Sequence, residues 1–183
     1  SNLIVISNIT NLSIDGSGGS IDGYGSTWWN CQSCKGPTIL RLKFCNDLTV
    51  SNLTITNSPK AHIRINIFEN ATFSNISIRS PSDSPNTDGF DIYTSKNILI
   101  QNSTIQCGDD CIAINGGSYN ISATRIACGP SHNCTFTNTE NGARIKTVPG
   151  GSGYARKITF ENITLIDTDN PIIIDQYYGS YGK

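Results

Sequence analysis

A short strand-like phrase recurs along this chain and limits the folds that the chain can adopt. The phrase is a corner residue followed by alternating apolar residues, as in Asn52-Leu53-Thr54-Ile55, and it returns at Asn75, Asn102, Thr124 and Asn162. In residue number, the first three steps are 75 − 52 = 23, 102 − 75 = 27 and 124 − 102 = 22. A period of this length marks a repeat architecture, and period-2 alternation with β-branched residues predicts strands.

The repeat predicts an all-β fold, a single-stranded right-handed parallel β-helix (a solenoid), with residues 1–183 forming one domain. Each coil supplies strands to several parallel sheets, and successive coils stack about 4.8 Å apart. The alternative is a sandwich or barrel of antiparallel strands. That alternative would show frequent two-residue hairpin turns and no repeat of this length, so the β-helix is favoured.

Composition argues against some classes of partner. Charged residues make up 15% of the chain and the net charge is −1, which gives no basic footprint for nucleic acid or for a membrane surface. No apolar run is long enough to span a bilayer. Seven cysteines, and Asn-x-Ser/Thr sequons such as those at Asn8, Asn70 and Asn120, favour a secreted, disulfide-bonded glycoprotein.

Some of the cysteines could instead be read as metal-binding pairs. Cys31 and Cys34 are close in sequence, and so are Cys107 and Cys111. The chain offers only His62 and His132 as further nitrogen ligands, and neither falls at zinc-finger spacing. Structural disulfides are therefore favoured, and neither a metal nor an organic cofactor is predicted.

Three aspartates lie at corresponding ends of two neighbouring strands. Asp88 stands in Asn86-Thr87-Asp88-Gly89, and Asp109 and Asp110 stand between Gly108 and Cys111, so the two turns differ in residue number by 109 − 88 = 21. One coil of separation places the carboxyl groups roughly 5 Å apart. Like charges that close cannot all ionise easily, so one acid should keep its proton near neutral pH. Asp-Gly corners are also common in ordinary turns, but three stacked acids favour hydrolytic chemistry.

The repeat is interrupted after His132. Asn133-Cys134-Thr135-Phe136 has the form of another corner and strand, yet the step from Thr124 to Asn133 is only 133 − 124 = 9 in residue number. The next step, 162 − 133 = 29, is normal again. The spacing therefore predicts that nearly one coil is absent between His132 and Cys134, and that the remaining coils can restack in register.

Placed on this repeat, the motifs resemble those of the polygalacturonases, the pectin-cleaving glycoside hydrolase family 28, and in particular its plant members. The resemblance rests on the order and spacing of several segments: Asp22-Gly23-Tyr24-Gly25-Ser26-Thr27-Trp28-Trp29, Asn86-Thr87-Asp88-Gly89, Gly108-Asp109-Asp110-Cys111, Arg144-Ile145-Lys146 and Asn170-Pro171-Ile172-Ile173-Ile174-Asp175-Gln176-Tyr177-Tyr178. Compared with that family, the chain is expected to lack the N-terminal cap and the C-terminal coils.

The resemblance implies catalytic roles for four residues. Asp109 would be the general acid, Asp88 with Asp110 would activate water, and the anomeric configuration would be inverted. Inverting carboxylates are usually about 6.5–9.5 Å apart, wider than one coil step, so spacing alone does not predict inversion. His132 follows Asp110 by one more coil, since 132 − 110 = 22, and would tune the acid.

Four further residues are predicted to bind substrate. Arg144 and Lys146 are two apart on a strand, so their side chains share one face and could bind the carboxylate of a galacturonate unit. The resemblance adds Asn86 and the active-site tyrosine, which falls on Tyr178. A solvated strand face and a plain surface tyrosine are the alternatives for these positions.

The resemblance also concerns the cysteines and one altered motif. Cys111 and Cys128 would join adjacent coils, as the family's disulfide beside the active site does, and Cys34 with Cys45 is a second candidate pair. At the family's Gly-His-Gly motif, Ser131 replaces the first glycine and Asn133 stands where the second should be.

These observations predict a monomeric, extracellular cell-wall enzyme that hydrolyses α-1,4-galacturonosyl linkages in pectic homogalacturonan. The alternative is an inactive, shortened β-helix that at most binds pectin, because loss of a coil moves Arg144 and Lys146 about 5 Å closer to the acids. Even a misplacement of about 1 Å can cost about a hundredfold in rate. A calcium-dependent pectate lyase is disfavoured, since no further acidic cluster accompanies Asp109 and Asp110.

Overall fold

The computed structural model describes residues 2–31, 34–129, 139–147, 155–166 and 168–178. His132 and the corner expected at Asn133 lie outside the described residues. The strands are β1 (Asn2–Ser7), β2 (Thr10–Asp15), β3 (Ser20–Asp22), β4 (Thr38–Thr56), β5 (Ile63–Arg79), β6 (Phe90–Tyr93), β7 (Lys96–Gln106), β8 (Ile112–Asn115), β9 (Tyr119–Cys128), β10 (Thr139–Lys146), β11 (Arg156–Leu165) and β12 (Thr168–Asp175), with a short helix α1 (Ser26–Trp29).

The strands pair in parallel and wind into a right-handed β-helix with three faces, which confirms the predicted fold. The first face joins β1, the start of β4, the start of β5, β6, β8, β10 and β12 in consecutive register. We call this face the groove sheet. The other two faces are built by β2 and β3 with the later parts of β4 and β5, followed by β7, β9 and β11.

Alternation along each strand decides which side chains enter the core. In the groove sheet, apolar residues point inward and the residues between them point outward, so Leu40 and Leu42 are buried while Arg41 and Lys43 remain partly exposed. The same inward positions stack from coil to coil, as Ile63, Phe90 and Ile112 do in the groove sheet. Across the core, Phe73 of another face meets Phe90 edge to face, with ring centroids 5.4 Å apart. The result is a continuous apolar core along the helix axis.

Corners between the faces are held by stacked asparagines. Asn70 donates to Asp47 (2.9 Å), Asn97 to Asn70 (2.8 Å) and Asn120 to Asn97 (2.6 Å), each through a side-chain amide. These residues have left-handed backbone angles, which asparagine tolerates better than most residues. The corner phrase of the sequence has the same physical cause, because the Asn75 amide donates to the Asn52 side-chain oxygen at 3.1 Å and each amide can both accept and donate.

One corner was assigned to the wrong residue. Thr124 pairs with Gln101 and Glu161, so the corner equivalent to Asn102 and Asn162 is Arg125, which carries the left-handed φ of 53°. The Arg125 Nε donates to the Asn102 side-chain oxygen at 2.5 Å. The guanidinium group of Arg125 thus takes the place of an asparagine amide in the stack, so no asparagine marks this corner in the sequence.

The coils restack across the interruption in the repeat. β11 pairs directly with β9, and β10 pairs directly with β8, from Ala143 opposite Ile112 to Lys146 opposite Asn115. In the described part of the chain, no strand stands between these partners. The strand that carries Arg144 and Lys146 therefore lies immediately next to the strand that follows the Asp109–Asp110 turn.

The cysteines pair differently from one of the two predictions. Cys111 and Cys128 form a disulfide, as the resemblance implied. The Cys34–Cys45 pair is wrong, because Cys34 bonds to Cys31 and Cys45 is a buried free thiol. The physical reason is orientation: Cys45 points into the core, where its Sγ donates to the Lys43 carbonyl at 3.1 Å, whereas Cys34 lies exposed on a surface loop.

No helix among the described residues is long and apolar enough to cross a membrane.

Candidate active site

Two consecutive turns, stacked one coil apart, present the three aspartates at the edge of the groove sheet. The backbone N–H of Gly89 donates to the Asp110 carbonyl at 2.8 Å, and that of Phe90 donates to the Cys111 carbonyl at 3.0 Å. Asp88 ends the turn before β6, and Asp109 and Asp110 end the turn before β8. The repeat therefore brings the acids together as the spacing predicted.

Small and hydroxylated residues lock the two turns to each other. The buried Thr87 hydroxyl donates to the Ser84 carbonyl (2.8 Å) and accepts from the Gly108 N–H (2.9 Å). A Cβ at Gly108 would collide with the Ser84 carbonyl oxygen, so only glycine allows this close stacking. These contacts fix the acidic side chains relative to one another before any substrate is bound.

The acids form a compact, largely buried cluster. One carboxylate oxygen from each of Asp88, Asp109 and Asp110 lies within 4.8 Å of the others. Asp110 is fully buried, Asp88 is 8% exposed and Asp109 is partly exposed. The Asp109 Oδ1 accepts from the Asp110 N–H at 2.8 Å, which orients the Asp109 carboxyl group toward its neighbour.

The surroundings of Asp88 favour its protonated form. Burial raises the pKa of Asp88 well above its ordinary value, and the charges of Asp91, Asp109 and Asp110 raise it further. Lys146 acts in the opposite direction but does not outweigh them. The sequence predicted that one acid would keep its proton without identifying which. The raised pKa of Asp88 is consistent with this prediction, and the resemblance assigns Asp88 to water activation.

Replacing Asp88 with asparagine is expected to stabilise the folded chain at neutral pH. A carboxyl whose pKa is raised on folding contributes stability below its unfolded pKa of about 3.9, and that contribution is lost as the pH rises through the folded pKa. Asparagine does not ionise, so the gain from Asp88→Asn should shrink as the pH falls toward about 4. Urea unfolding at a series of pH values measures this, and a gain that grows at low pH would contradict it.

Two cations stand directly against the acid cluster. Lys146 Nζ lies 2.8 Å, and Arg144 Nη2 2.9 Å, from the same Asp110 oxygen, and Arg144 Nη2 is also 3.8 Å from Asp109. Burial would lower the pKa of Lys146, but its hydrogen bond to Asp110 and the charges of Asp110 and Asp88 prevail and raise it. The predicted approach of these cations to the acids is therefore present as direct ion pairs.

Tyr178 completes the cationic side of the site. Its backbone N–H donates to the Thr147 carbonyl at 3.1 Å, which places its ring beside the end of β10. The ring centroid lies 4.8 Å from Lys146 Nζ and 5.4 Å from the Arg144 guanidinium carbon. Three of the four predicted substrate-binding residues thus meet. Asn86, the fourth, is exposed on the Asp88 turn with a φ of 57°.

Sequence reasoning missed His62, which contacts Asp88, and the ion pair of Arg64 with Asp91. The buried His62 ring holds the Asp88 carbonyl (Nδ1, 3.0 Å) and the Ser80 hydroxyl (Nε2, 2.8 Å), and burial lowers the pKa of His62 to about 4. Arg64 binds Asp91 at 2.6 Å. The available signal was the repeat itself, because His62 precedes Asp88 by one coil, a sequence separation of 88 − 62 = 26.

The acid cluster is also the feature that could attract a metal ion. Asp88, Asp109 and Asp110 are the described residues whose oxygens converge in this way. Calcium takes about six to eight oxygen ligands, which this set does not supply alone. The Asp110 Oδ2 atom already pairs with Arg144 and Lys146. These two side chains compensate the negative charge of the cluster, so the donor set does not favour a metal ion.

Removing the Cys111–Cys128 disulfide is expected to destabilise the chain. The bond closes a loop with a sequence separation of 17 immediately after the acids, and in the chain-entropy model a loop of this length contributes about 3 kcal/mol. The matched control is the double Cys31→Ser/Cys34→Ser variant, whose loop, with a separation of 3, should contribute less. Urea unfolding compares the Cys111→Ser/Cys128→Ser variant with this control, and equal losses would contradict the prediction.

The comparisons with known proteins agree with the architecture. The model for the family described as glycosyl hydrolases family 28 matches residues 1–133 and 131–183, so the two matches meet where the repeat is interrupted. An Arabidopsis thaliana protein described as a probable polygalacturonase is 46% identical over 96% of this chain and 43% of its own length. A Juniperus ashei polygalacturonase is 38% identical over 93% of the chain and 40% of its own length. The chain thus spans less than half the length of these relatives.

Solved structures show the same winding. The polygalacturonase from Erwinia carotovora matches with a TM-score of 0.80 and 29% identity, covering 97% of this chain and 57% of that one. The endo-xylogalacturonan hydrolase from Aspergillus tubingensis matches with a TM-score of 0.77 and 26% identity, covering 98% of this chain and 58% of that one.

Proposed function

Because the chain belongs to glycosyl hydrolase family 28, we propose that it hydrolyses α-1,4-galacturonosyl linkages in pectic polygalacturonan. The observation that carries this proposal is the convergence of three aspartates, with oxygens within 4.8 Å of one another, on two stacked turns. Relatives named polygalacturonases support the choice of substrate. Residues 1–183 would act as a single β-helix domain that works as a monomer in the plant cell wall.

In the proposed mechanism, Asp109 donates a proton to the leaving glycosidic oxygen. Asp109 is the most exposed of the three acids, so it is the one a substrate can reach first. Asp88 and Asp110 would position and deprotonate the attacking water, with inversion at the anomeric carbon. The raised pKa of Asp88 means that this step requires a pH high enough to ionise it, so activity should fall on the acidic side.

The cationic side of the site would bind the carboxylate of the sugar. Arg144 and Lys146 supply positive charge, and the Tyr178 ring adds a surface against which a sugar can pack. A methyl-esterified unit lacks the charge that these residues would bind. We therefore propose de-esterified homogalacturonan as the preferred stretch of the polymer.

The experiment that tests hydrolysis is mass analysis of the products formed from polygalacturonate in ¹⁸O-labelled water. Hydrolysis adds one labelled oxygen to each new reducing end, whereas β-elimination by a lyase gives unsaturated, unlabelled ends. A chelator should leave the rate unchanged. Unsaturated products, or loss of activity with the chelator, would favour the lyase.

A second candidate function is pectin binding without cleavage. The observation in its favour is the direct pairing of Arg144 and Lys146 with Asp110, because a carboxylate held by two cations at 2.9 and 2.8 Å is less available to activate water. Under this alternative, the folded chain would bind oligogalacturonates but release no reducing ends. Calorimetric binding measured beside an activity assay distinguishes the two functions.

A further inference from the structure

The chain contains a second Arg-x-Lys segment on the same sheet as the first. Arg41-Leu42-Lys43 lies in β4, and Arg144-Ile145-Lys146 lies in β10. In both segments the middle residue points toward the core, and the Arg and Lys flank it on the outward face. Both pairs therefore present their charges on the outer surface of the groove sheet.

The register places the two arginines in one column. Consecutive strands of the groove sheet align the following residues: Arg41, Arg64, Asp91, Ala113 and Arg144. Each lysine lies two positions further along the same strand as its arginine, so the lysines stand in the neighbouring outward column. The acidic turns belong to the coils of β6 and β8, which lie between the two Arg-x-Lys segments.

The charges of the two segments are used differently. Arg144 and Lys146 pair with Asp110, and Arg64 pairs with Asp91. Across the described part of the chain, neither Arg41 nor Lys43 forms an ion pair, and the Lys43 Nζ lies 5.9 Å from the centroid of the Phe44 ring.

Arg64, the neighbour of Arg41 on the next strand, adds to the uncompensated positive charge at Arg41. Arg41 and Arg64 are directly opposite each other on adjacent strands, and like charges in that position repel. Asp91 compensates Arg64 through two hydrogen bonds, from Nε at 3.2 Å and from Nη2 at 2.6 Å, but no described residue does the same for Arg41. Arg41 and Lys43 are therefore a cationic pair that lacks its anion.

We propose that Arg41 and Lys43 form a uronate-binding subsite on the N-terminal side of the acids, an inference that rests on the proposed function. β4 precedes β6, the strand of the Asp88 coil, by two coil steps, or about 10 Å along the helix axis. A pyranose unit in a 1,4-linked chain advances by roughly the height of one coil. A polygalacturonate chain lying along the groove sheet thus presents a carboxylate to this pair while another unit lies at the acids.

The test is calorimetric binding of hexagalacturonate to the full chain carrying Asp109→Asn, so that the ligand is not consumed. Adding Arg41→Gln and Lys43→Gln should weaken binding by about tenfold or more, the loss typical of charge-assisted hydrogen bonds. The matched control is Arg125→Gln with Lys157→Gln, which removes the same charge from exposed positions on β9 and β11, away from the groove sheet.

The outcomes separate this inference from the function on which it rests. A loss confined to the Arg41/Lys43 variant, and absent for the fully methyl-esterified hexamer, supports the subsite. Equal affinities for the two double variants overturn the subsite but leave the proposed function standing. Failure of the Asp109→Asn chain to bind hexagalacturonate at all overturns both. Circular dichroism melting of each variant checks that it remains folded.

Discussion

Replacing Asp109 with asparagine should reduce the release of reducing ends from polygalacturonate by at least about a hundredfold, the usual contribution of a positioned proton donor. Asparagine has nearly the same shape, and its side-chain oxygen can still accept from the Asp110 N–H, a bond of 2.8 Å in the native chain. The substitution therefore removes the proton and preserves the turn. The assay compares initial rates at equal concentrations of folded protein.

The control for Asp109→Asn is Asp83→Asn. Asp83 is exposed in the segment that leads into the Asp88 turn, but it is not part of the acid cluster. The control makes the same change of charge and should keep the native rate. Similar rates for Asp109→Asn and the native chain would remove Asp109 from its proposed role.

Replacing Asp110 with asparagine should have the largest effect on stability, a loss of about 3–5 kcal/mol in the free energy of unfolding. Asp110 is fully buried and its one carboxylate oxygen compensates both Lys146, which is 8% exposed, and Arg144. Removing the negative charge leaves two cations close together without an anion. Breaking a buried pair in this way is costly because the remaining charge has lost its hydration.

Urea unfolding of Asp110→Asn beside Asp109→Asn isolates this effect. Both variants lose one negative charge within the same turn, but only Asp110 bridges the two cations at hydrogen-bonding distance. Equal losses of stability in the two variants would mean that the ion pairs of Asp110 stabilise the fold no more than the charge of Asp109 does. A loss confined to Asp110→Asn would confirm that β10 is held against β8 by these charges.

The fold was predictable from the sequence because the corners of the repeat are mostly asparagines, which tolerate the left-handed backbone conformation. Asn52, Asn75 and Asn102 adopt left-handed backbone angles that few other residues tolerate, so the corners are visible without a structure. The prediction was wrong by one residue at Thr124, where Arg125 fills the corner and hydrogen-bonds Asn102 instead. A long side chain can replace an asparagine when its donor reaches the same acceptor, and sequence spacing does not reveal this.

Sequence spacing predicted which residues form the candidate site, but it did not predict how their surroundings shift the pKa of Asp88. A one-coil spacing was enough to place Asp88 beside Asp109 and Asp110, and the interrupted repeat was enough to bring Arg144 and Lys146 toward them. The raised pKa of Asp88 depends on its burial and on Asp91, which motif spacing does not report. The Cys31–Cys34 bond was missed for a similar reason, because the inward orientation of Cys45 follows from three-dimensional packing.

The ion pairs of Asp110 have a consequence for how the proposed site would work. Arg144 and Lys146 occupy positions where a sugar carboxylate would have to compete with Asp110 for the same donors. Substrate binding would then loosen the cations from Asp110 and free its carboxylate to act on water. Binding and activation of the acid would be linked, and a longer oligogalacturonate would be needed to supply the binding energy.

Reducing-end release from polygalacturonate by the full chain, measured on a sample that circular dichroism shows to be folded, is the most direct test of the proposed hydrolase. We expect release that disappears in the Asp109→Asn variant. A folded chain that binds oligogalacturonate but releases no reducing ends would contradict hydrolysis and would favour the binding function instead.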